Sequence, residues 1–262
     1  MKIVVCVKHV PDDQADRRFT SEGRVDRSQD DGTLNALDEN AIETALALVH
    51  DSEGHVTVVT MGPPAAEGAV RRGLQMGADA AVLITDTALD GSDVFATARV
   101  LAAAVRKIGD DDTVDLVITG MASLDGMTSV VPPLLALELE LPAATLAADV
   151  TVDGDVVRVR RELEQVSEVL EATMPALISV TDRANKPRYP DFKGIMAARR
   201  KPVVVWSLED LGAAASEVDE PSARTRVLTT AARPARQDRV LITDEGDAGA
   251  RMAAYLVDNR LV

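Results

Sequence analysis

Lys2-Ile3-Val4-Val5-Cys6-Val7-Lys8 is the stretch on which the fold turns. It is a short apolar run, and three similar runs follow at 55–61, 80–85 and 114–119, each ending near Gly, Asp or Thr. Helical patterns lie between them. Ile42, Ala45, Leu46 and Val49 form one stripe in 38–50, 65–76 runs to a Gly77 C-cap, and 92–108 is rich in Ala and Val. Continuous apolar strands alternating with helices predict an α/β fold with a doubly wound, mostly parallel sheet buried on both faces. Ligands of such sheets sit beyond the C-terminal strand ends. A small-molecule site is therefore expected in the loops 9–34, 61–64, 86–91 and 120–128.

After Leu141-Pro142 the periodicity changes. Residues 156–160 and 166–172 alternate with period two and predict an antiparallel hairpin added to the sheet, and 175–180 predicts a further buried strand. From about Leu208 to Gln237 the chain is rich in Ala, Ser, Glu, Pro and Arg without clear periodicity, which reads as an extended C-terminal arm. A short strand (Val240-Leu241-Ile242) and a striped helix from Ala248 to Val257 close it. The expected division is a domain 1–207 and an arm 208–262 whose end must pack on something, for which a partner subunit is one candidate.

An apolar fraction of 46% marks a globular chain, packed mainly by Ala and Val because aromatics supply only 2%. No apolar run approaches the roughly 20 residues of a membrane span. Met1 leads directly into a strand without a signal-peptide layout, so a cytoplasmic protein is expected. A single cysteine, Cys6, excludes an internal disulfide and a thiolate metal cluster. His9, His50 and His55 have no ligand spacing, so no metal site is expected. A net charge of -15 opposes nucleic-acid binding, which requires an excess of positive surface.

Against that acidic background, 181–201 holds seven of the 28 Lys and Arg residues and only two acids, Asp182 and Asp191. A Pro-rich turn, an aromatic pair (Tyr189, Phe192) and a short basic helix fit either a solvated loop or a protein-docking loop. The chain has no Gly-x-Ser-x-Gly elbow, no P-loop and no Gly-x-Gly-x-x-Gly after the first strand. What remains are small polar segments at strand ends. Asn35-Ala36-Leu37-Asp38 opens the first helix, with Asn35 and Asp38 spaced as a capping box. Gly120 to Ser129 precedes a helix expected from about Thr128, whose first N–H groups would favour a phosphate. With Met61-Gly62-Pro63 these make three loops converging on one crevice, as a nucleotide site requires.

The segments Val7-Lys8-His9-Val10-Pro11-Asp12, Leu34 to Ala41, Met61-Gly62-Pro63, Met76-Gly77-Ala78-Asp79 and Ser123-Leu124-Asp125-Gly126 occur in this order. They are followed by Asn185-Lys186-Pro187-Arg188-Tyr189-Pro190 and Gly194 to Lys201. Together they resemble the beta subunit of electron transfer flavoprotein over nearly the whole chain. The resemblance implies a Rossmann-like, adenine-nucleotide-binding fold in an alpha/beta heterodimer. That heterodimer would carry electrons from acyl-CoA and related dehydrogenases of fatty acid oxidation toward a quinone-reducing acceptor. It implies one FAD held mainly by the alpha subunit and a structural AMP in the beta subunit, or a second FAD in that site in electron-bifurcating members. A stand-alone nucleotide-binding or hydrolysing protein on a related fold is the alternative from another class. By position, the nucleotide would meet Cys6, Asn35, Ala36, Leu37, Asp38, Met61 and Gly62, then Gly120, Asp125, Gly126, Met127, Thr128, Ser129, Val130 and Val131. No residue would be catalytic. The recognition loop 183–201 would dock dehydrogenases through Arg188, Tyr189, Phe192, Ile195, Met196, Arg199 and Arg200, with Phe192 as the anchor where many relatives have leucine. The chain departs from the usual family pattern at Ala36, Leu124, Thr128-Ser129 and the hairpin turn Glu164-Gln165-Val166.

Overall fold

In the computed structural model, residues 1–12, 18–27, 32–50, 53–219, 222–231, 233–235 and 240–262 are described. The positions 13–17 and 28–31 of the expected strand-end loop, and 220–221, 232 and 236–239 of the expected arm, lie outside them.

The first apolar run forms β1 (Lys2–Cys6) and the next three form β4 (His55–Met61), β5 (Ala80–Ile84) and β6 (Leu116–Gly120). The intervening helices are α1 (Ala36–Leu48), α2 (Glu67–Met76) and α3 (Val94–Ile108), with α2 ending at Gly77 as expected. Within the loop after β1, β2 (His9–Pro11) and β3 (Gly32–Leu34) pair into a separate antiparallel sheet. Beyond β6 come α4 (Val131–Leu139), β7 (Ala143–Asp153), β8 (Val156–Glu162), β9 (Ser167–Thr173) and β10 (Ala176–Val180). The order closes with α5 (Phe192–Ala198), β11 (Val203–Trp206) and α6 (Ala248–Asp258).

The main sheet has nine strands in the order β11-β5-β4-β1-β6-β10-β7-β8-β9. It is parallel from β11 to β7, while β8 and β9 add antiparallel. This is the expected doubly wound sheet with its hairpin addition. Alternate residues of β1 serve opposite faces. Ile3 and Val5, with Val7 just past the strand, pack with Ile42 and Ala45 of α1 and Val70 and Leu74 of α2. Val4 and Cys6 pack with Val100 and Leu101 of α3 and Leu135 of α4. Each fully buried Val, Leu or Ile stabilises the fold by roughly 1.5–3 kcal/mol.

Two expectations are corrected, and one strand has no counterpart in the sequence reading. The helix placed from about Thr128 begins at Val131, where Pro132 and Pro133 occupy the first turn with preset φ and no N–H to satisfy. Val240-Leu241-Ile242 forms no strand: these residues are irregular and exposed or half-buried, and among the described residues no strand pairs with them. The periodicity does not mark β7, since Ala143-Ala144-Thr145-Leu146-Ala147-Ala148 has weak strand propensity. Pairing with β10 on one side and β8 on the other makes it a strand.

The chain separates into residues Met1–Leu228 and Thr229–Val262. Leu208 and Val218 are buried in the core of the first unit. The second unit contains α6, whose Met252 and Val257 are exposed. Among the described residues no helix is long and apolar enough to cross a membrane. Nor does any cluster of His, Cys, Asp and Glu among them suit a metal ion.

Candidate functional site

From β1 the chain builds the sheet outward through β4, β5 and β11 on one side and through β6 and β10 on the other. The direction reverses between β1 and β6, and the crevice beyond their C-terminal ends is where such sheets receive ligands. Cys6 ends β1 and Gly120 ends β6.

Asn35 is fully buried at the floor of this crevice. Its backbone N–H donates to the carbonyl of Lys8 at 2.9 Å. Its Nδ2 donates to the carbonyl of Ala122 at 3.0 Å and its Oδ1 accepts the N–H of Leu124 at 3.0 Å. The expected capping box is not formed. Asn35 stands at the N-cap position of α1 without a side-chain capping bond, and the Asp38 carboxylate instead accepts the N–H of Lys8 at 2.7 Å. Both side chains are drawn to loop backbone groups that lie at least partly buried and would otherwise be unpaired, which costs more than leaving a helix end exposed.

Asp38 is buried, and burial pushes its carboxyl up to about 7 despite bonds from Asn35 and from the Lys8 and Gly120 backbone. A Cβ on Gly120 would lie 2.4 Å from Asp38 Oδ1 and 2.8 Å from the Leu37 carbonyl oxygen, so only glycine fits there. Beside it, burial and then the Asp38 charge push the Cys6 thiol up to about 12. That thiol is a buried core side chain held in its neutral form.

Asp125 is held differently. Its side chain is 4% exposed and receives Lys8 Nζ at 3.0 Å, with Arg27 Nη2 on its other oxygen. Lys8 also reaches Ser123 Oγ at 3.4 Å. Burial opposes ionisation of Asp125, but Lys8 and Arg27 outweigh it and hold the carboxyl at about 2. Neither cation was among the expected site residues. They come from positions 117 and 98 residues away, and although Lys8 stands in the Val7–Asp12 motif, nothing local marks either as a partner of Asp125.

Past Asp125 the loop opens outward. The N–H groups of Gly126 and Met127 both donate to the Ser123 carbonyl, at 3.2 and 2.8 Å. Met127 and Ser129 adopt φ of 50° and 53°, left-handed values uncommon for residues with a Cβ. Gly126, Met127, Thr128, Ser129 and Val130 are exposed. Among the described residues the N–H groups of Thr128, Ser129 and Val130 find no acceptor. Val131 opens α4 directly behind them. Across the crevice Met61 ends β4, and the N–H of Gly62 donates to Ile84 at 3.0 Å. Ala36 is exposed and Leu37 half-buried. The buried hydroxyls of Thr60 and Thr119, each one residue before an expected contact position, have no partner among the described residues.

The basic segment is organised by α1. Arg188 forms a two-pronged ion pair with Glu43, Nε to Oε2 at 2.7 Å and Nη2 to Oε1 at 2.9 Å. Tyr189 is 85% exposed with the Arg72 guanidinium 5.0 Å from its ring centre. Phe192, 79% exposed, starts α5, which Asp191 caps by accepting the Gly194 N–H. A Cβ on Gly194 would lie 2.6 Å from the Gln75 carbonyl oxygen, so this glycine lets α5 approach α2. Met196, Arg199 and Arg200 are exposed and Ile195 is half-buried. Of the expected docking residues, Arg188 is thus engaged within the chain while the aromatic pair faces outward.

Residues 23–211 match the model of the electron transfer flavoprotein domain. The chain is 40% identical to electron transfer flavoprotein subunit beta of Mycobacterium leprae over 99% of both chains. The chain belongs to the electron transfer flavoprotein beta-subunit family. It is 35% identical to the Caffeyl-CoA reductase-Etf complex subunit CarD of Acetobacterium woodii, covering 93% of this chain and 92% of that one. It is 40% identical to the acryloyl-CoA reductase electron transfer subunit gamma of Anaerotignum propionicum, over 80% and 79%. Members of this family are electron-carrying subunits rather than enzymes with their own substrate turnover, and membership implies a flavin and an alpha-subunit partner.

Proposed function

We propose that this chain pairs with an alpha subunit carrying FAD, binds AMP in the crevice between β1 and β6, and docks acyl-CoA dehydrogenases through residues 183–201. Electrons would pass from those dehydrogenases to the flavin and on to a quinone-reducing acceptor, and the reading carries a cytoplasmic location and a place in fatty acid oxidation with it.

The observation that carries the nucleotide reading is the loop 126–131. It presents N–H groups without acceptors, two left-handed residues and the start of α4 beside the switch point of the sheet. Such an array suits a phosphate, because oriented N–H dipoles and a helix start both favour negative charge. Gly120, Asn35 and Asp38 form the tight floor below it. The residues present therefore fit an adenine nucleotide: Met61 and the Cys6 backbone would border the base side, and Thr128 to Val131 would hold the phosphate. When bound by the alpha subunit, FAD supplies the one- and two-electron chemistry. This chain contributes binding and orientation, with Asp125 kept ionised so that Lys8 and Arg27 fasten the phosphate loop.

Tyr189 and Phe192 support the docking role. Burying one such side chain in a partner pocket contributes roughly 2 kcal/mol, enough to orient a transient complex. Residues 229–262, with Leu241 74% and Val257 63% exposed, are proposed to pack on the alpha subunit.

A second reading, FAD instead of AMP in the crevice, is favoured by the relatives whose names place them in CoA-ester reductase complexes. Counting nucleotides released from the purified heterodimer tests both. One FAD and one AMP support the simple carrier, two FAD and no AMP support the second reading, and a crevice empty of either overturns the nucleotide assignment.

A further inference from the structure

Glu43 is 14% exposed and takes three donors from one residue. Besides the two guanidinium bonds, the backbone N–H of Arg188 donates to its Oε2 at 3.0 Å. A planar fork on a carboxylate fixes orientation as well as distance. The third bond fixes the main chain immediately before Tyr189. On the same face of α1, Asn40 and Thr44 hold Asn185. Asn40 Nδ2 donates to the Asn185 backbone and side-chain oxygens at 3.0 and 3.1 Å. Asn185 Nδ2 returns bonds to the Asn40 carbonyl at 3.0 Å and Thr44 Oγ1 at 2.8 Å. One turn earlier, Glu39 bonds Arg72 at 3.1 Å, the guanidinium that lies over the Tyr189 ring. Residues 39, 40, 43 and 44 lie within two turns of one helix and all bear on the loop directly or through Arg72.

We propose that Glu43 is a positioning residue for partner docking, holding the loop backbone at Arg188 so that Tyr189 and Phe192 are presented in one orientation before encounter. This rests on the docking role proposed above for residues 183–201. Ordering the loop in advance removes an entropy cost that would otherwise be met on binding. Burial works to raise the Glu43 carboxyl, but the bonds from Arg188 outweigh it and hold it below the ordinary range, so the pair stays charged at neutral pH. The effect belongs to recognition and not to the flavin.

The test uses the flavin-loaded heterodimer with an acyl-CoA dehydrogenase as electron donor. Glu43→Gln should raise the KM for the heterodimer about tenfold and weaken the Kd for the dehydrogenase, measured by surface plasmon resonance, by a similar factor. The kcat, FAD content and melting temperature should stay at wild-type values, and amides 186–192 should exchange with deuterium faster. Arg188→Lys, which keeps the charge and loses the fork, should behave alike. The swap Glu43→Arg with Arg188→Glu restores the ion pair without the backbone bond and should recover part of the loss. Phe192→Ala is run in parallel. If Phe192→Ala raises KM while Glu43→Gln and Arg188→Lys leave KM and Kd unchanged, the positioning role is overturned and the docking reading stands. If none of the three moves KM or Kd, the docking reading falls and this inference with it. A drop in kcat or FAD content at unchanged KM would also overturn it.

Discussion

Lys8 and Asp38 are joined across the switch point of the sheet: the backbone N–H of Lys8 donates to the Asp38 carboxylate at 2.7 Å. The bond ties the end of β1 to the first turn of α1. Because burial raises the Asp38 carboxyl from its ordinary 3.8 to about 7, the folded protein holds this proton more tightly than the unfolded chain does. The contribution of Asp38 to stability is therefore full below about pH 4, falls as pH rises to about 7, and is constant above. Asp38→Asn should flatten that part of the stability profile, as measured by melting temperature between pH 4 and 8. An unchanged slope would show that Asp38 does not titrate in this window.

Asp125 predicts the opposite limb. Its carboxyl lies at about 2 against an ordinary 3.8, so the unfolded chain binds its proton first and stability is lost as pH falls through this range. Asp125→Asn should remove part of the acid lability between pH 4 and 2. At neutral pH it should release Lys8 and Arg27 and lower nucleotide content, read by chromatography of the denatured protein.

Gly120→Ala forces a methyl against Asp38 and the Leu37 carbonyl. A cost of about 1–3 kcal/mol is expected, as for other overpacked sites. Denaturant titration should show it, and the bound nucleotide should fall with it. Full stability with full nucleotide content would mean that the crevice floor yields more than its packing suggests.

Truncation after Leu228 leaves both core clusters intact, since every buried member lies at or before Val218. The shortened chain should retain its melting temperature and lose affinity for the alpha subunit, seen as a smaller elution volume shift on mixing. An unchanged shift would refute the proposed role of residues 229–262.

The order of the main strands and helices is legible along the chain because apolar runs and 3.6-residue stripes are local and extend over whole elements. The family was readable for the same reason, carried by short contiguous motifs such as Asn185-Lys186-Pro187-Arg188-Tyr189-Pro190. Bond partners were not. Asn35 and Asp38 have the spacing of a capping box, yet their acceptors and donors lie on other loops, Asn35 reaching across 87 residues to Ala122. Arg188 reads as a docking cation, yet it meets Glu43 145 residues away. β7 carries no local strand pattern and becomes a strand only because β8 and β10 bracket it. Local pattern carries the fold class, the family and the order of the main strands and helices. Tertiary structure alone decided which polar groups satisfy one another in the crevice and under the docking loop, because the cost of an unpaired polar group arises only when burial removes its water.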